Sequence, residues 1–356
     1  HRRFDPLEPI VIVLAAYGIF YVLKPLDLVL VGRHSIRPMD ESLYVLALLY
    51  CVVGVACFLI AYHTKFPKAV AKAVPKLPDL RSRTQLVWSI VFLLLLGFTG
   101  FGMMFTGWSD FMEYLGTSRY GRGPALYVVK SVIASGLLSS FIILFFLLYA
   151  ASLTVWRRSK LVKVATGASA LWVLALFNPF SWARASLFYI VIGWLVIRHY
   201  LKKPFRTLTL VWVGIILLFL YIVFGMTRYV GPSSLLTVLQ GQLSLAALWN
   251  NFMATRYLDA FENFAFILDT FPNRESFLAG ETYWALLVNW IPRVFWPTKP
   301  IGAGRVVAEL YLRKDPGGFS LGPSIMGEGY MNFGPLGPLL VLSVFGWLAP
   351  SFRHYL

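Results

Sequence analysis

Long apolar runs set the first constraint on this chain. A helical membrane crossing takes roughly 20 apolar residues, and runs near that length recur at residues 9–31, 43–62, 86–106, 126–155, 164–178, 185–200, 207–226 and 335–350. One water-soluble core does not absorb so many. Apolar residues make up 58% of the chain and charged residues 13%, against about 25% charged in ordinary globular domains. The expected fold is therefore all-α, a polytopic integral membrane helix bundle of about eight transmembrane helices. The fifth and sixth runs are short and are joined by Asn178-Pro179-Phe180-Ser181-Trp182. They read as two tilted spans, because only an even pair keeps the charge pattern alternating; a broken, re-entrant pair is the alternative.

That charge pattern gives topology. Loop 63–85 carries Lys65, Lys68, Lys72, Lys76, Arg81 and Arg83 against Asp79 alone. Loop 156–163 has Arg157, Arg158, Lys160 and Lys163, and loop 198–206 has Arg198, Lys202, Lys203 and Arg206. They alternate with the less basic segments 32–42, 107–125, 178–184 and 227–334. The positive-inside rule places the basic set, with the N-terminus, in the cytoplasm. The net charge of +16 is thus read as a topology signal and an attraction to anionic headgroups. No basic stripe or zinc-finger signature points to nucleic acid. Arg2-Arg3 leads into a run of spanning length, so no cleavable signal is expected. The expected organisation is residues 1–226 as seven spans with short loops, 227–334 as a large periplasmic loop, and 335–356 as an eighth span with a cytoplasmic end. The chain begins at His1 and stops soon after an apolar segment, so further residues, helices among them, are expected beyond its ends.

The long loop is partly helical by its periodicity. Leu236, Leu239, Leu243, Ala247 and Phe252 keep helical spacing, Asn250 to Phe271 continues it, and Pro272-Asn273 is the expected stop. A second helix is expected over Thr282–Asn289, ending at Ile291-Pro292. Beyond it Pro297, Pro300, Pro316, Pro323 and Pro335 lie among glycines and read as ordered irregular backbone. A loop this long and aromatic in a compact protein is usually functional.

Its chemistry is defined first by what it lacks. There is no HExxH, Cys/His cluster, nucleophile elbow, Walker motif or dinucleotide fingerprint. The histidines are His1, His34, His63, His199 and His354; only His34 falls on the external side, and residues 227–334 contain none. Cys51 and Cys57 lie about 9 Å apart along one helix, too far for a disulfide. The external side instead holds Arg184, Arg228, Arg256, Arg274, Arg293 and Arg305, with Lys299. Arg184 and Arg228 sit at the ends of spans, at interface depth, where a guanidinium fork suits phosphate oxygens; for any one arginine, snorkelling or a structural ion pair is the alternative. Among the carboxylates Asp259, Glu262, Asp269, Glu275, Glu281 and Glu328, Asp259 shares a helix face with Arg256 and Asn263, the pattern of a salt bridge. Glu281 follows Gly280, and Glu328 lies between Gly327 and Gly329, so either could approach a sugar hydroxyl as general base. Lys24 and Asp27, three residues apart in the first span, are either an intramembrane functional pair or an interfacial one. Trp284, Trp290 and Trp296 are either sugar-stacking platforms or an interfacial belt.

The run Asn289-Trp290-Ile291-Pro292-Arg293-Val294-Phe295-Trp296-Pro297-Thr298-Lys299-Pro300 resembles the Ile-Pro-Arg-x-x-Trp-Pro-x-Lys-Pro stretch of bacterial oligosaccharide repeat-unit polymerases, the Wzy-type O-antigen and exopolysaccharide polymerases. Phe277-Leu278-Ala279-Gly280-Glu281-Thr282-Tyr283 and Gly327-Glu328-Gly329-Tyr330-Met331-Asn332-Phe333-Gly334-Pro335-Leu336-Gly337 resemble the same family, whose members commonly have more spans than this chain. The resemblance implies an inner-membrane glycosyltransferase that moves an undecaprenyl-pyrophosphate-linked glycan onto another lipid-linked repeat unit at the periplasmic face, with a lipid pyrophosphate leaving. By resemblance Arg293 and Lys299 bind pyrophosphate; Arg228, Arg184, Arg305 and Arg256 are added from position. Glu281, Glu328 or Asp259 would be the catalytic carboxylate, and Trp290 and Trp296 would stack on sugar. No cofactor or metal is expected, and the expected partners are the lipid-linked substrates, the bilayer and a chain-length regulator protein. The related O-antigen ligases usually use a histidine in this loop, and a transporter should show inverted repeats.

Overall fold

The computed structural model describes residues 7–32, 34, 38–64, 66, 82–105, 107–116, 134, 136–177, 184–230, 249–250, 253, 258–289, 291, 295–313 and 320–355; residues 9, 115–116, 184–186, 221–230 and 351–355 are described through their backbone alone. Within these residues the ordered elements are helices. They are α1 (Pro9–Gly18), a π-helical turn (Ile19–Leu23), α2 (Lys24–Val31), α3 (Glu41–His63), α4 (Arg83–Met104), α5 (Trp108–Gly116), α6 (Ser140–Leu153), α7 (Lys160–Leu176), α8 (Arg184–Leu201) and α9 (Thr207–Val230). There follow α10 (Ala260–Thr270), α11 (Glu281–Leu287), α12 (Ala303–Leu312), α13 (Ser324–Phe333), a 3-10 turn (Gly334–Leu336) and α14 (Gly337–Tyr355). Among the described residues, five stretches are long and apolar enough to cross a membrane: Ile10–Val31, Glu41–His63, Arg83–Met104, Gly136–Leu153 and Ser324–Pro350. Leu187–Leu201 and Thr207–Leu220 are shorter apolar helices. Cys51 and Cys57 are unpaired, as their spacing requires.

The chain divides into two compact units, His1–Lys76 with Asn250–Leu356, and Leu77–Trp249. The first two apolar stretches thus share a unit with residues 250–334 of the long segment and with the last apolar helix, while residues 227–249 fall in the other unit.

In the first unit, α1, the π turn and α2 form one continuous stretch. Pro25 has no N–H for the carbonyl one turn back, and its ring presses on that carbonyl. The wider π turn lies immediately ahead of it, and Lys24 and Asp27 are buried in the turn that follows. Helices α3 and α14 pack side by side and run parallel, because Leu342 lies over Gly54 while Gly346 meets the backbone of Phe58. A side chain at either glycine would push the helices apart.

The stretch Ser324–Pro350 is not one rod. Gly334 turns the chain at φ +68°, and Gly329 then lies in backbone contact with Gly337, so α13 and the start of α14 form a tight hairpin. Met326 on one arm and Leu342 on the other both reach Gly54. The segment expected to be proline-fixed irregular backbone is thus largely helical, as α12 and α13. Pro297, Pro300 and Pro323 stand between helices and Pro335 falls in the 3-10 turn, and the glycines of α13 let its backbone approach Gly337 and the Ile267 and Phe264 side chains. Helix α10 is buried from Phe261 to Leu268, and a helix buried on every side is a core element. Helices α10 and α13 are therefore part of the unit's interior.

The second unit packs by aromatic contact. Phe101, Phe105, Phe111, Phe141 and Trp172 form a ring cluster, with Gly97 beneath Phe141. Tyr114 adds its ring to Phe105 and donates to the carbonyl of Leu176 at 2.6 Å.

Candidate functional site

Two polar clusters stand inside the first unit. One joins α11 to α13. The N-terminus of α11 leaves backbone N–H groups unpaired, and the Asn332 side chain meets them: its Oδ1 accepts from Gly280 N–H at 3.1 Å and Thr282 N–H at 3.4 Å. Its Nδ2 donates to Thr282 Oγ1 at 2.7 Å and to the Glu328 carbonyl at 2.8 Å. The Thr282 hydroxyl in turn donates to Glu328 Oε1 at 2.9 Å. Leu278 N–H donates to the Met331 carbonyl at 2.9 Å, and the Tyr283 ring stacks on Phe333 with centroids 5.6 Å apart.

The result is a half-buried carboxylate with one oxygen fixed by an oriented hydroxyl. Tyr283 lies beside it with a buried hydroxyl that has no hydrogen-bond partner among the described residues. Burial pushes that hydroxyl well above the ordinary tyrosine range, and the charge of Glu328 adds to the shift. Tyr283 is therefore a neutral donor at ordinary pH, next to a carboxylate acceptor. This pairing of a positioned base with a neutral donor suits proton abstraction from a hydroxyl.

The second cluster is centred on two fully desolvated charges. Lys24 Nζ lies 3.2 Å from Glu262 Oε1 and 3.9 Å from Asp27 Oδ2, and donates to the Met253 carbonyl at 3.0 Å. The side chains of Lys24 and Glu262 have no exposed surface. His34 Nδ1 is 3.8 Å from Glu262 Oε2 and keeps partial access to solvent. Lys24 and Asp27 are thus buried within the protein, where α10 supplies the balancing carboxylate. Residues 227–334 contain no histidine, yet His34, from the segment between α2 and α3, lies beside α10.

The other expected residues fall as follows. Lys299 is buried, and its ammonium donates to the carbonyls of Asn289 at 3.1 Å and Ile291 at 2.8 Å. Lys299, expected as a pyrophosphate ligand, thus ties together the backbone at Asn289 and Ile291. Arg305 pairs with Glu309 at 2.9 Å on the surface of α12. Asp259 is buried at the start of α10, and Asn263 donates to the Gly322 carbonyl at 2.8 Å. Glu281 is exposed on the first turn of α11. Trp296 is half-buried, with its indole N–H on Thr298 Oγ1 at 3.2 Å. Arg256, Arg293 and Trp290 lie outside the described residues, as do Leu236 to Ala247 and Phe252; for Arg184 and Arg228 only the backbone is described. A separate cavity of about 390 Å³ opens between α10 and α12, lined by Thr270, Arg274, Glu275, Glu309 and Arg313, with Arg274 paired to Asp269 at 2.8 Å.

Sequence reading missed the parts played by Thr282 and Asn332. Asn332 stands four residues after Glu328, so the two share a helix face, and that spacing was the available signal. No family model, curated protein or solved structure matches this chain.

Proposed function

We propose that this chain is a membrane glycosyltransferase that polymerises undecaprenyl-pyrophosphate-linked repeat units at the periplasmic face of the bacterial inner membrane. One observation carries the reading. The stretches Phe277–Tyr283 and Gly327–Gly337, which resemble repeat-unit polymerases in sequence, meet in space around Glu328, Thr282 and Asn332. In this proposal Glu328 accepts the proton of the acceptor sugar hydroxyl, Thr282 and Asn332 position it, and Tyr283 donates a neutral hydrogen bond. Arg293, with Arg228, Arg184, Arg256 and Arg305, stabilises charge developing on the leaving pyrophosphate. The proposed topology has about eight spans, a cytoplasmic N-terminus and the α10–α13 region on the periplasmic side. A chain-length regulator is a proposed partner.

The test is elongation in vitro. Purified protein in vesicles is given lipid-linked repeat units, and the products are resolved by length. A ladder is expected with the wild type and none with Arg293→Ala or Arg228→Ala; full ladders from both variants would remove the pyrophosphate clamp. Activity is expected to persist in excess chelator, and loss restored by a divalent cation would contradict metal-independent transfer.

A second reading, transport of the same lipid-linked sugars, draws on the Lys24–Glu262–Asp27 cluster, since charges inside a span mark transport and proton pathways. Flipping of a labelled lipid-linked sugar across the vesicle membrane, without elongation, would favour it.

A further inference from the structure

We infer that α11 lies in the hydrocarbon margin of the bilayer, with Trp284, Leu286 and Leu287 against the acyl chains of the leaflet on the loop side. Trp284 is 52% exposed, Leu286 71% and Leu287 66%, while Thr282, Ala285 and Val288 face the protein. In water this would be a large unpaid apolar surface on a seven-residue helix. The surroundings of α11 identify what covers it.

The first observation is attachment. Asn332, the Leu278 to Met331 hydrogen bond and the Tyr283–Phe333 stack clamp α11 to the tip of the α13/α14 hairpin. The second is depth. Leu342 opposite Gly54 and Gly346 opposite Phe58 set the first residue of α14 level with Leu49 of α3. That is two turns inside the α3 N-terminus at Glu41, or about 12 Å along the axis at 1.5 Å per residue. The hairpin tip therefore sits below the outer end of a membrane helix, at the level where Val45 and Leu49 are exposed on α3.

The third observation is continuity. Leu336, Leu340, Val344 and Leu348 are all exposed at four-residue spacing, an unbroken apolar stripe down one face of α14. A stripe of this kind on a membrane-crossing helix faces lipid. Phe333, the ring on which Tyr283 stacks, is exposed at its upper end, so the face of α11 extends a lipid-facing surface. Trp284 belongs at such a boundary, where an indole has both hydrocarbon and polar neighbours. The inference does not depend on the reaction catalysed.

The test uses the full chain with Cys51 and Cys57 replaced by alanine, and single cysteines carrying a nitroxide at Leu286→Cys and Leu287→Cys. Leu340→Cys serves as the lipid-facing standard and Asp40→Cys as the aqueous one. Each variant is reconstituted in phosphatidylethanolamine/phosphatidylglycerol vesicles, and its collision rates with oxygen and with a water-soluble nickel chelate are measured. Labels at 286 and 287 are expected to match Leu340→Cys, with oxygen collisions high and nickel collisions several-fold below those at Asp40→Cys. Nickel collisions equal to those at Asp40→Cys would overturn the inference. Low collision rates with both reagents would equally overturn it, because protein rather than lipid would then cover the face. Trp284 gives a second readout in the native-cysteine protein: brominated acyl chains should quench less of the total fluorescence in Trp284→Phe than in wild type, and equal quenching would count against lipid contact.

Discussion

The two units solve the same problem, filling a helical interior within an apolar chain, in opposite ways. The Leu77–Trp249 unit buries mainly rings and aliphatic side chains; its buried Ser152 and Thr166 turn back onto their own helices, to the Tyr149 and Val162 carbonyls at 2.7 Å each, while Tyr114 reaches across to the Leu176 carbonyl. The unit built from His1–Lys76 and Asn250–Leu356 buries Lys24, Asp27, Glu262, Asn263, Thr282, Lys299 and Asn332, and most of their bonds run between distant elements. Desolvating such groups costs free energy that only accurate pairing offsets. A fold carries that cost where position matters, so the first unit is where chemistry is expected and the second reads as scaffold.

The largest expected contrast is catalytic. Glu328→Gln should cut elongation by about 10²–10⁴-fold, the usual worth of a positioned base, whereas exposed Glu281→Gln should leave it within about threefold, since rim groups contribute little. Rates of ladder formation decide this, and equal losses would remove the distinction between the two carboxylates.

Next comes the desolvated pair. Lys24→Met or Glu262→Gln alone strands a buried partner and should destabilise by about 3–5 kcal/mol. The double variant should lose less than the sum of the two, with a coupling of about 1–3 kcal/mol, measured by unfolding in detergent. Additive losses would show that the ion pair does not join the first span to α10.

Glycine substitutions compare packing in the two units directly. Gly337→Ala presses a methyl group into the backbone of Gly329, which has no side chain to rotate away, and should cost about 3 kcal/mol. Gly97→Ala meets the Phe141 ring, with the added Cβ 2.7 Å from its nearest atom. A ring can swing aside, so about 1 kcal/mol is expected. Thermal unfolding midpoints in the reverse order would contradict this account of the hairpin.

The smallest effect concerns Tyr283. Its proton is held more tightly in the folded chain than at the ordinary value of 10.0, so its contribution is intact below pH 10 and is lost as the pH rises past it. Tyr283→Phe should be nearly neutral for stability at pH 7, because it removes a buried hydroxyl without a partner among the described residues. It should also flatten the alkaline decline in stability above pH 10. An unchanged alkaline limb would mean that Tyr283 does not report on this site.

Parts of this arrangement were legible beforehand. The apolar runs located α3 and α4 within a few residues, and Glu281–Leu287 falls close to the helix expected at Thr282–Asn289. The glycine-flanked carboxylates marked both sides of the α11/α13 junction. Helix α13 was not legible, because Gly327, Gly329 and the nearby prolines read locally as helix breakers. They are tolerated here because the glycines provide close contact with Gly337, Phe264 and Ile267. The bracing bonds of Lys299 were not legible either, since nothing in its sequence context shows that the Asn289 and Ile291 carbonyls converge on it.

The sequence by itself determined that this chain is helical and suited to a membrane, and which polar side chains its loop offers. Hydropathy sums over neighbouring residues, so local composition is enough for that. Only the tertiary structure decided which polar groups meet: Lys24 finds the Met253 carbonyl 229 residues away, and Thr282 finds Glu328 at a separation of 46. A buried charge is tolerated only beside its partner, and that partner is chosen by packing across the whole unit rather than by residues nearby in the chain.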